Sequence, residues 1–347
     1  MKKIKIDFNN KNLKFFFVGI GGIGMSALAC YLSNKNFLVY GSDLDLNNKT
    51  IENCLKNNIK IFNENEAIKK IKEILPDFIV LTNTLKNDNS IIKFADKNNF
   101  ILIKRSELLG QLLKNKKIIG ITGSHGKTST TGLISSILNF SKFKPDIFIG
   151  GFLESIKNNF QIGKSEYSVV EADDAYKSFL DLKPFISIVT SISLEHLETY
   201  KNMNDIYKNF LKYINLTKKN GFIFINTDEL EMIEWSKKIK RKFFTYGISK
   251  KNQNYSADNI ILNSFSSTYS FYKYNKFLGE VFLPLPGLHQ IKNSIVAIAA
   301  AEKIGISFEN SVFALKNHKG VERRLTPVGK FNKTIVYDDY AHKRLFY

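Results

Sequence analysis

The feature that most constrains the fold is a glycine-bracketed turn between an apolar strand and a helical run, within residues 116–131. The turn reads Gly-x-x-Gly-Lys-Thr, and the helical pattern after it ends near Phe140. Successive N–H groups of such a turn converge on an anion, and the helix start adds partial positive charge. An ordinary strand–turn–helix corner gives no reason for the Lys-Thr pair, so the pattern favours a nucleoside-triphosphate site. The candidate phosphate contacts are Gly123, Ser124, His125, Gly126, Lys127, Thr128 and Ser129.

Composition indicates a globular protein with more than one domain. The chain has 347 residues, of which 44% are hydrophobic and only 6 are proline, enough to build two or three domains with buried cores. Its 2 cysteines, Cys30 and Cys54, give neither a disulfide framework nor a metal cluster. A reducing, cytoplasmic location is therefore expected.

The net charge of +19 raises the question of nucleic-acid binding. Lysines are spread among Asn, Ile and Phe along the whole chain, and the densest basic run, residues 236–242, fits one exposed helix end. We therefore expect no nucleic-acid partner. A basic surface would still attract a small polyanionic substrate.

A second glycine turn, at residues 19–24, joins a short apolar strand to a helix and precedes a strand that ends at Asp43. This βαβ layout is typical of dinucleotide folds, in which glycines let the backbone approach a pyrophosphate. It fits NAD, a flavin or the diphosphate of a sugar nucleotide. The uncharged stretch from Phe15 to Leu32 is interrupted by four glycines, so no membrane span is expected. The candidate substrate contacts are Gly21, Gly22, Ile23, Gly24 and Asp43.

Alternating short strands and helical stretches predict an α/β protein with parallel sheets. The expected order is an N-terminal Rossmann-like domain at 1–115, a central P-loop ATPase domain at 116–325, and the start of a third domain at 326–347. Two polar positions follow buried strands of the central domain. Glu171 is a candidate magnesium ligand, and His196 is a candidate metal ligand or phosphate contact.

Seven motifs follow one another along nearly the whole chain. They are the two glycine turns, Glu171-Ala-Asp173, Glu195-His-Leu197, Pro286-Gly-Leu-His289 with Asn293, Gly320 with Arg323-Arg324, and Asp338-Asp-Tyr-Ala-His342. In this order they resemble the Mur ligases of peptidoglycan synthesis, and the similarity is strongest to the member that joins L-alanine to UDP-N-acetylmuramate. The resemblance implies an ATP- and Mg²⁺-dependent ligation through an acyl phosphate.

The resemblance also implies individual roles. Lys127 and Arg324 would stabilise charge on the transferring phosphoryl group, while Thr128 and Glu171 would hold one Mg²⁺ and His196 would help to place a second. Asn293 would contact adenine and Asp339 the nucleotide ribose. The first glycine turn would hold the UDP diphosphate, with Asp43 and Arg105 as further substrate contacts.

Some positions depart from the family pattern. The family has Asn and Asp where this chain has Ser191 and Glu195, and it usually has Glu-Ser-Asp where this chain has residues 174–176. The C-terminal Rossmann-like domain is expected to be largely absent. Three alternative functions stay open: a remnant that binds nucleotide without ligating, the related murein-peptide recycling ligase, and an NAD-dependent oxidoreductase. The last does not explain the P-loop.

Overall fold

The computed structural model describes residues 5–85, 88–248, 253–324, 326–332 and 334–339. Residues 340–342 of the last motif lie outside this described part. The chain divides into two compact units. The first contains Met1–Lys116, Phe160–Ile162 and Asp181–Lys183, and the second contains Lys117–Asn159, Gly163–Leu180 and Pro184–Tyr347.

The first unit alternates strands and helices along the chain. Its elements are β1 (Lys14–Val18), α1 (Ile23–Ser33), β2 (Leu38–Asp43), α2 (Lys49–Lys56), β3 (Lys60–Asn63), α3 (Ala67–Ile74), β4 (Phe78–Leu81), α4 (Ser90–Lys97), β5 (Leu102–Lys104) and α5 (Arg105–Leu112). The five strands form one sheet in the order β3-β2-β1-β4-β5. Every pair in it is parallel.

Strand β1 lies at the centre of this sheet, and its composition follows from that position. Its residues Phe15 to Val18 are fully buried, as expected for a central strand covered on both faces. The strand is flanked by β2 and β4, both parallel to it. The α/β fold with an N-terminal parallel sheet, which the sequence predicts, is confirmed.

The second unit is built on a ten-stranded mixed sheet in the order β15-β14-β13-β12-β11-β10-β6-β9-β7-β8, beside a separate antiparallel pair, β16 and β17. The elements are β6 (Lys117–Thr122), α6 (Lys127–Phe140), β7 (Asp146–Leu153), β8 (Asn158–Gln161), β9 (Tyr167–Glu171), β10 (Pro184–Val189), α7 (Met203–Asn215), β11 (Phe222–Asn226), α8 (Leu230–Ser236), β12 (Phe244–Gly247), β13 (Tyr255–Asn263), β14 (Ser266–Lys273), β15 (Lys276–Leu283), α9 (Leu288–Glu302), α10 (Phe308–Lys316), β16 (Thr326–Phe331) and β17 (Thr334–Asp338).

The parallel part of this sheet brings three strand ends together. Strand β6 lies between β9 and β10 and is parallel to both. Their last residues are Thr122, Glu171 and Val189, so the segments that follow them meet at one edge of the sheet. Helix α6 starts at this edge and ends at Phe140, as predicted.

The other end of the sheet is antiparallel. Strands β13, β14 and β15 pair as successive antiparallel hairpins. Helix α9 packs against α6, and its alanines from Ala299 to Ala301 are fully buried.

The sequences of two strands do not by themselves indicate β structure. Strand β8 consists of Asn-Asn-Phe-Gln, a composition that is unusual for strands. Strand β16 contains Pro327, which is rare inside sheets. Strand β12 begins at Phe244. The preceding Arg241 donates to the carbonyl oxygen of Ile214 in the last turn of α7 and to that of Lys218 just beyond the helix, so it caps the C-terminal end of α7.

The uncharged stretch from Phe15 to Leu32 is divided between β1 and α1. In the part of the chain that the structure describes, no helix has both the length and the apolar character needed to cross a membrane.

His318 is a buried histidine whose ionisation should affect stability. Its Nδ1 lies 2.8 Å from Ser136 Oγ on α6, and burial lowers its pKa to about 4 from an ordinary value of 6.5. Because the folded state disfavours the protonated form, stability should be retained above pH 6.5 and lost as the pH falls towards 4. The expected loss is about 3 kcal/mol.

Urea unfolding of the wild type and of His318→Gln between pH 7.5 and 4.5 tests this prediction. Glutamine keeps a hydrogen-bonding side chain but does not ionise in this range. We expect the stability of the variant to fall less steeply with decreasing pH. Equal slopes for the two proteins would show that His318 does not cause the acid sensitivity.

Candidate active site

Gly123 and Gly126 shape the turn between β6 and α6, and both adopt backbone conformations that favour glycine. Their φ angles are +135° and +79°. A Cβ at Gly123 would lie 2.2 Å from Thr190 Oγ1, and a Cβ at Gly126 would lie 2.7 Å from Asn293 Oδ1. A side chain at Gly123 would clash with the segment after β10, and one at Gly126 would displace the Asn293 side chain.

The segment after β10 holds the turn in place. Ser124 N donates to Ser191 O at 3.0 Å, and Ser193 N donates to Ser124 Oγ at 2.8 Å. His125 N donates to Ser191 Oγ at 3.0 Å. The N–H groups of Ser124 and His125, which the sequence predicts to face phosphate, thus have acceptors within the protein.

The start of α6 offers further N–H groups. Those of Lys127, Thr128 and Ser129 belong to the first turn of a 14-residue helix, where no acceptor exists in a preceding turn. The positive end of the helix dipole lies here. A phosphate group at this end of α6 would therefore find hydrogen-bond donors and a favourable potential.

Lys127 brings a positive charge to the P-loop. Its Nζ donates to Gly123 O at 2.5 Å and to Asp174 Oδ1 at 2.8 Å. Burial lowers the pKa of Lys127, but the nearby carboxylates, Asp174 above all, raise it above its ordinary value overall. The amine is therefore fully protonated at neutral pH.

Glu171, at the end of β9, contacts Thr128 at the start of α6. Thr128 Oγ1 donates to Glu171 Oε1 at 3.0 Å, and Gly150 N donates to Glu171 Oε2 at 2.8 Å. A Cβ at Gly150 would lie 2.7 and 2.9 Å from the two carboxylate oxygens, so only glycine allows β7 to approach this closely. Burial raises the pKa of Glu171, and the Gly150 hydrogen bond and the charge of Lys127 oppose that rise.

The Thr128 and Glu171 oxygens suit Mg²⁺, a hard cation that prefers oxygen ligands. In proteins it usually takes one or two side-chain oxygens, with water and substrate phosphates completing the shell. Among the described residues no group of three or more His, Cys, Asp or Glu side chains forms a metal site. The donor set therefore fits a cation that arrives with a phosphate ligand.

Two predicted nucleotide contacts from later in the chain lie at the P-loop. Arg324 Nη2 is 3.5 Å from Thr128 Oγ1, and the buried Asn293 of α9 lies against Gly126. Asp339 lies close to the first turn of α9. Burial lowers the pKa of His289 in that turn, and the charge of Asp339 opposes the shift.

In the loop after β10, the adjacent residues Glu195 and His196 make different contacts. Glu195 Oε1 lies 3.6 Å from Nε2 of His125 in the P-loop. The Nδ1 of His196 lies 3.3 Å from Glu198 Oε1, and His196 has a φ of +55°. The contact to the P-loop therefore comes from Glu195, and the metal role of His196 stays a prediction.

Two residues outside the predicted site contribute to it. Asp174 pairs with Lys127, and Tyr200 donates from its hydroxyl to Asp174 O at 2.5 Å. Asp174 stands directly after the acidic motif, so its charge was a usable signal. Nothing in the local sequence marks Tyr200.

The glycine turn of the first unit brings its predicted residues together. Gly21 N donates to Asp43 Oδ2 at 2.6 Å, and Asp45 N donates to Asp43 Oδ1 at 3.1 Å. The Arg105 guanidinium carbon would lie 3.1 Å from a Cβ at Gly24. Asp43 thus fixes the turn, while its contact with a substrate stays a prediction.

Two family models match successive parts of the chain. The model described as Mur ligase family, catalytic domain, matches residues 14–117. The model described as Mur ligase middle domain matches residues 121–301, a range that contains the P-loop, Glu171 and Asn293.

Individual relatives agree with these models. The UDP-N-acetylmuramate--L-alanine ligase of Dictyoglomus turgidum is 38% identical over 331 residues, which are 95% of this chain and 70% of the relative. The crystal structure of the UDP-N-acetylmuramate-alanine ligase of Thermotoga maritima has a TM-score of 0.85 at 27% identity, over 96% of this chain and 75% of that one.

A third similarity concerns the fold alone. The UDP-N-acetylmuramate:L-alanyl-gamma-D-glutamyl-meso-diaminopimelate ligase of Neisseria meningitides has a TM-score of 0.82 at 20% identity, over 90% of this chain and 100% of that one. The two family models, the 38% identity and the arrangement around Lys127 and Glu171 lead to one conclusion. The chain belongs to the Mur ligase family.

Proposed function

We propose that the chain catalyses the ATP-dependent joining of L-alanine to UDP-N-acetylmuramate, in peptidoglycan precursor synthesis. The observation that carries this proposal is the contact of Thr128 with Glu171 at the start of α6, next to the cation of Lys127. Such a group suits phosphoryl transfer from a magnesium-bound triphosphate. The substrates come from the names of relatives such as the Dictyoglomus turgidum ligase.

In this reaction the muramate carboxylate attacks the γ-phosphorus of ATP and ADP leaves. The amine of L-alanine then attacks the acyl phosphate, loses a proton and displaces phosphate. Negative charge is spread over the oxygens of the transferring phosphoryl group. Lys127 and Arg324 are the cations that would stabilise it.

The remaining contacts of the nucleotide follow from the same arrangement. Asn293 would bind adenine and Asp339 the ribose, while Thr128 and Glu171 would hold Mg²⁺ and His196 would help to place a second ion. When bound, Mg²⁺ supplies positive charge that polarises the phosphoryl oxygens. The N–H groups at the start of α6 would bind the phosphates.

The first glycine turn would hold the other substrate. Its close backbone approach suits a diphosphate, so Gly21, Gly22, Ile23 and Gly24 are the proposed contacts of UDP-N-acetylmuramate, with Asp43 and Arg105 beside them. We thus assign residues 1–115 to binding of the UDP substrate and residues 116–325 to binding of ATP. Residues 326–347 are assigned to the start of a further domain.

A second candidate is the recycling reaction that attaches a murein peptide to UDP-N-acetylmuramate. The Neisseria meningitides ligase, which shares the fold of this chain, is named for such a reaction. The two reactions share the nucleotide and the muramate carboxylate. They differ in the amine, which is a single amino acid in one and a peptide in the other.

Phosphate release with ATP, Mg²⁺, UDP-N-acetylmuramate and an amine tests both candidates. Release that requires each component, with L-alanine as the amine, would support the main proposal. Release that requires the tripeptide L-alanyl-γ-D-glutamyl-meso-diaminopimelate would support the recycling reaction. Nucleotide binding without release in either mixture would point to a binding protein that does not ligate.

A further inference from the structure

The P-loop lysine is not free in this structure, because it is held by a carboxylate. Lys127 Nζ lies 2.8 Å from Asp174 Oδ1, and the two side chains are only 15% and 4% exposed. Another hydrogen bond of the same ammonium goes to Gly123 O. Two of its three N–H donors are therefore used before any phosphate arrives.

Hydrogen bonds fix the backbone around Asp174, so its carboxylate can leave Lys127 only by rotation of the side chain. Its carbonyl oxygen accepts from the Tyr200 hydroxyl at 2.5 Å and from Lys177 N at 3.1 Å. Tyr200 is 2% exposed. The Asp173 carboxylate accepts from Ala175 N at 3.1 Å, which fixes the same loop.

A triphosphate that reaches Lys127 must either displace Asp174 or share the ammonium with it. Displacement breaks a nearly buried ion pair, and sharing places the phosphate oxygens next to a carboxylate of the same sign. Both arrangements cost free energy, since charge interactions are poorly screened at such a site. In either case, Asp174 therefore weakens the binding of the triphosphate.

We infer that Asp174 is an internal counter-ion of the P-loop, which competes with the triphosphate for Lys127 and so lowers its affinity. This inference rests on the proposed ATP site. Asp174 is a positioning residue here, because it acts through Lys127 and not on the reacting atoms. It neutralises the cation whenever no nucleotide is bound and favours release of the nucleotide products.

The test is calorimetric binding of a non-hydrolysable ATP analogue, inorganic tripolyphosphate and adenosine, each with Mg²⁺, to the wild type and Asp174→Asn. We expect the variant to bind both triphosphates about tenfold more tightly, the size of one close charge interaction. Adenosine should bind equally to both proteins, since it lacks the phosphates. A purely structural role would not separate the ligands in this way.

Two further variants control the comparison. Asp174→Glu keeps the charge and should bind tripolyphosphate as weakly as the wild type. Asp205→Asn makes the same change in the carboxylate that pairs with the half-exposed Lys177 at 3.6 Å, and it should leave all three affinities unchanged. Thermal unfolding establishes that each variant is folded at the assay temperature.

The inference is overturned if Asp174→Asn binds tripolyphosphate as weakly as the wild type, or more weakly. It is also overturned if adenosine binding changes as much as triphosphate binding. A third outcome separates the two proposals. If Asp174→Asn binds triphosphate more tightly but the wild type releases no phosphate in the presence of L-alanine, the role of Asp174 as a counter-ion is supported and the proposed ligation is contradicted.

Discussion

Replacing Lys127 by methionine is expected to lower ATP-dependent phosphate release by at least about a thousandfold, because a cation at the transferring phosphoryl group is lost. Methionine keeps the length and apolar part of the side chain. The substitution also leaves the carboxylate of Asp174, only 4% exposed, without its ion-pair partner. The variant should therefore be less stable as well as inactive.

A double variant separates these two effects. Lys127→Met combined with Asp174→Asn removes both charges, so it should recover most of the lost stability but none of the activity. Lys177→Met serves as the matched control, since it removes a lysine whose ion pair with Asp205 is partly exposed. Steady-state phosphate release and thermal unfolding measure the two quantities. An active Lys127→Met protein would rule out the proposed role.

Replacing Glu171 by glutamine is expected to have opposite effects on stability and activity. Activity should fall at least about a hundredfold, because an amide is a much poorer magnesium ligand than a carboxylate. The stability of the ligand-free protein should rise at neutral pH. Burial raises the pKa of Glu171, which means that the folded state disfavours the ionised carboxylate.

The pH dependence follows from that shift. The favourable contribution of the neutral carboxyl is present below its ordinary pKa of 4.5 and is lost as the pH rises through the higher pKa of the folded state. Urea unfolding should therefore show the variant to be more stable than the wild type at pH 8, and the difference should shrink towards pH 4. Added Mg²⁺ and ATP analogue should stabilise the wild type only.

Glu154→Gln is a suitable control for this substitution, because Glu154 pairs with the exposed Lys157 on the surface. It should change neither the stability profile nor the activity. A Glu171→Gln protein that is less stable than the wild type at pH 8, or that responds to Mg²⁺ and the ATP analogue as the wild type does, would contradict the assignment.

The parallel sheet and the P-loop could be predicted from the sequence because their signals are local. Glycines between an apolar strand and a helix define the turn at 123–126, and hydrophobic runs of β-strand length define β6, β9 and β10. In parallel strands the carboxyl ends meet at one edge. The proximity of Glu171 to Thr128 therefore follows from the order of the strands.

The pairing of Lys127 with Asp174 could not be predicted in the same way. It depends on the path of the loop after β9, where Tyr176 and Lys177 have φ angles of +52° and +58°. Neither residue type signals that conformation. The contact of Glu195 with His125 is a similar case, since the turn of the loop at His196 decides which of two adjacent side chains reaches the P-loop.

The most direct test of the proposed ligation follows an oxygen atom. UDP-N-acetylmuramate labelled with ¹⁸O in its carboxylate is incubated with the protein, ATP, Mg²⁺ and L-alanine, and the products are examined by mass spectrometry. If the carboxylate is phosphorylated and then attacked by the amine, the released phosphate carries one ¹⁸O atom and the muramate product gains one alanine. Unlabelled phosphate, or release without an alanine adduct, would contradict ligation by this chain.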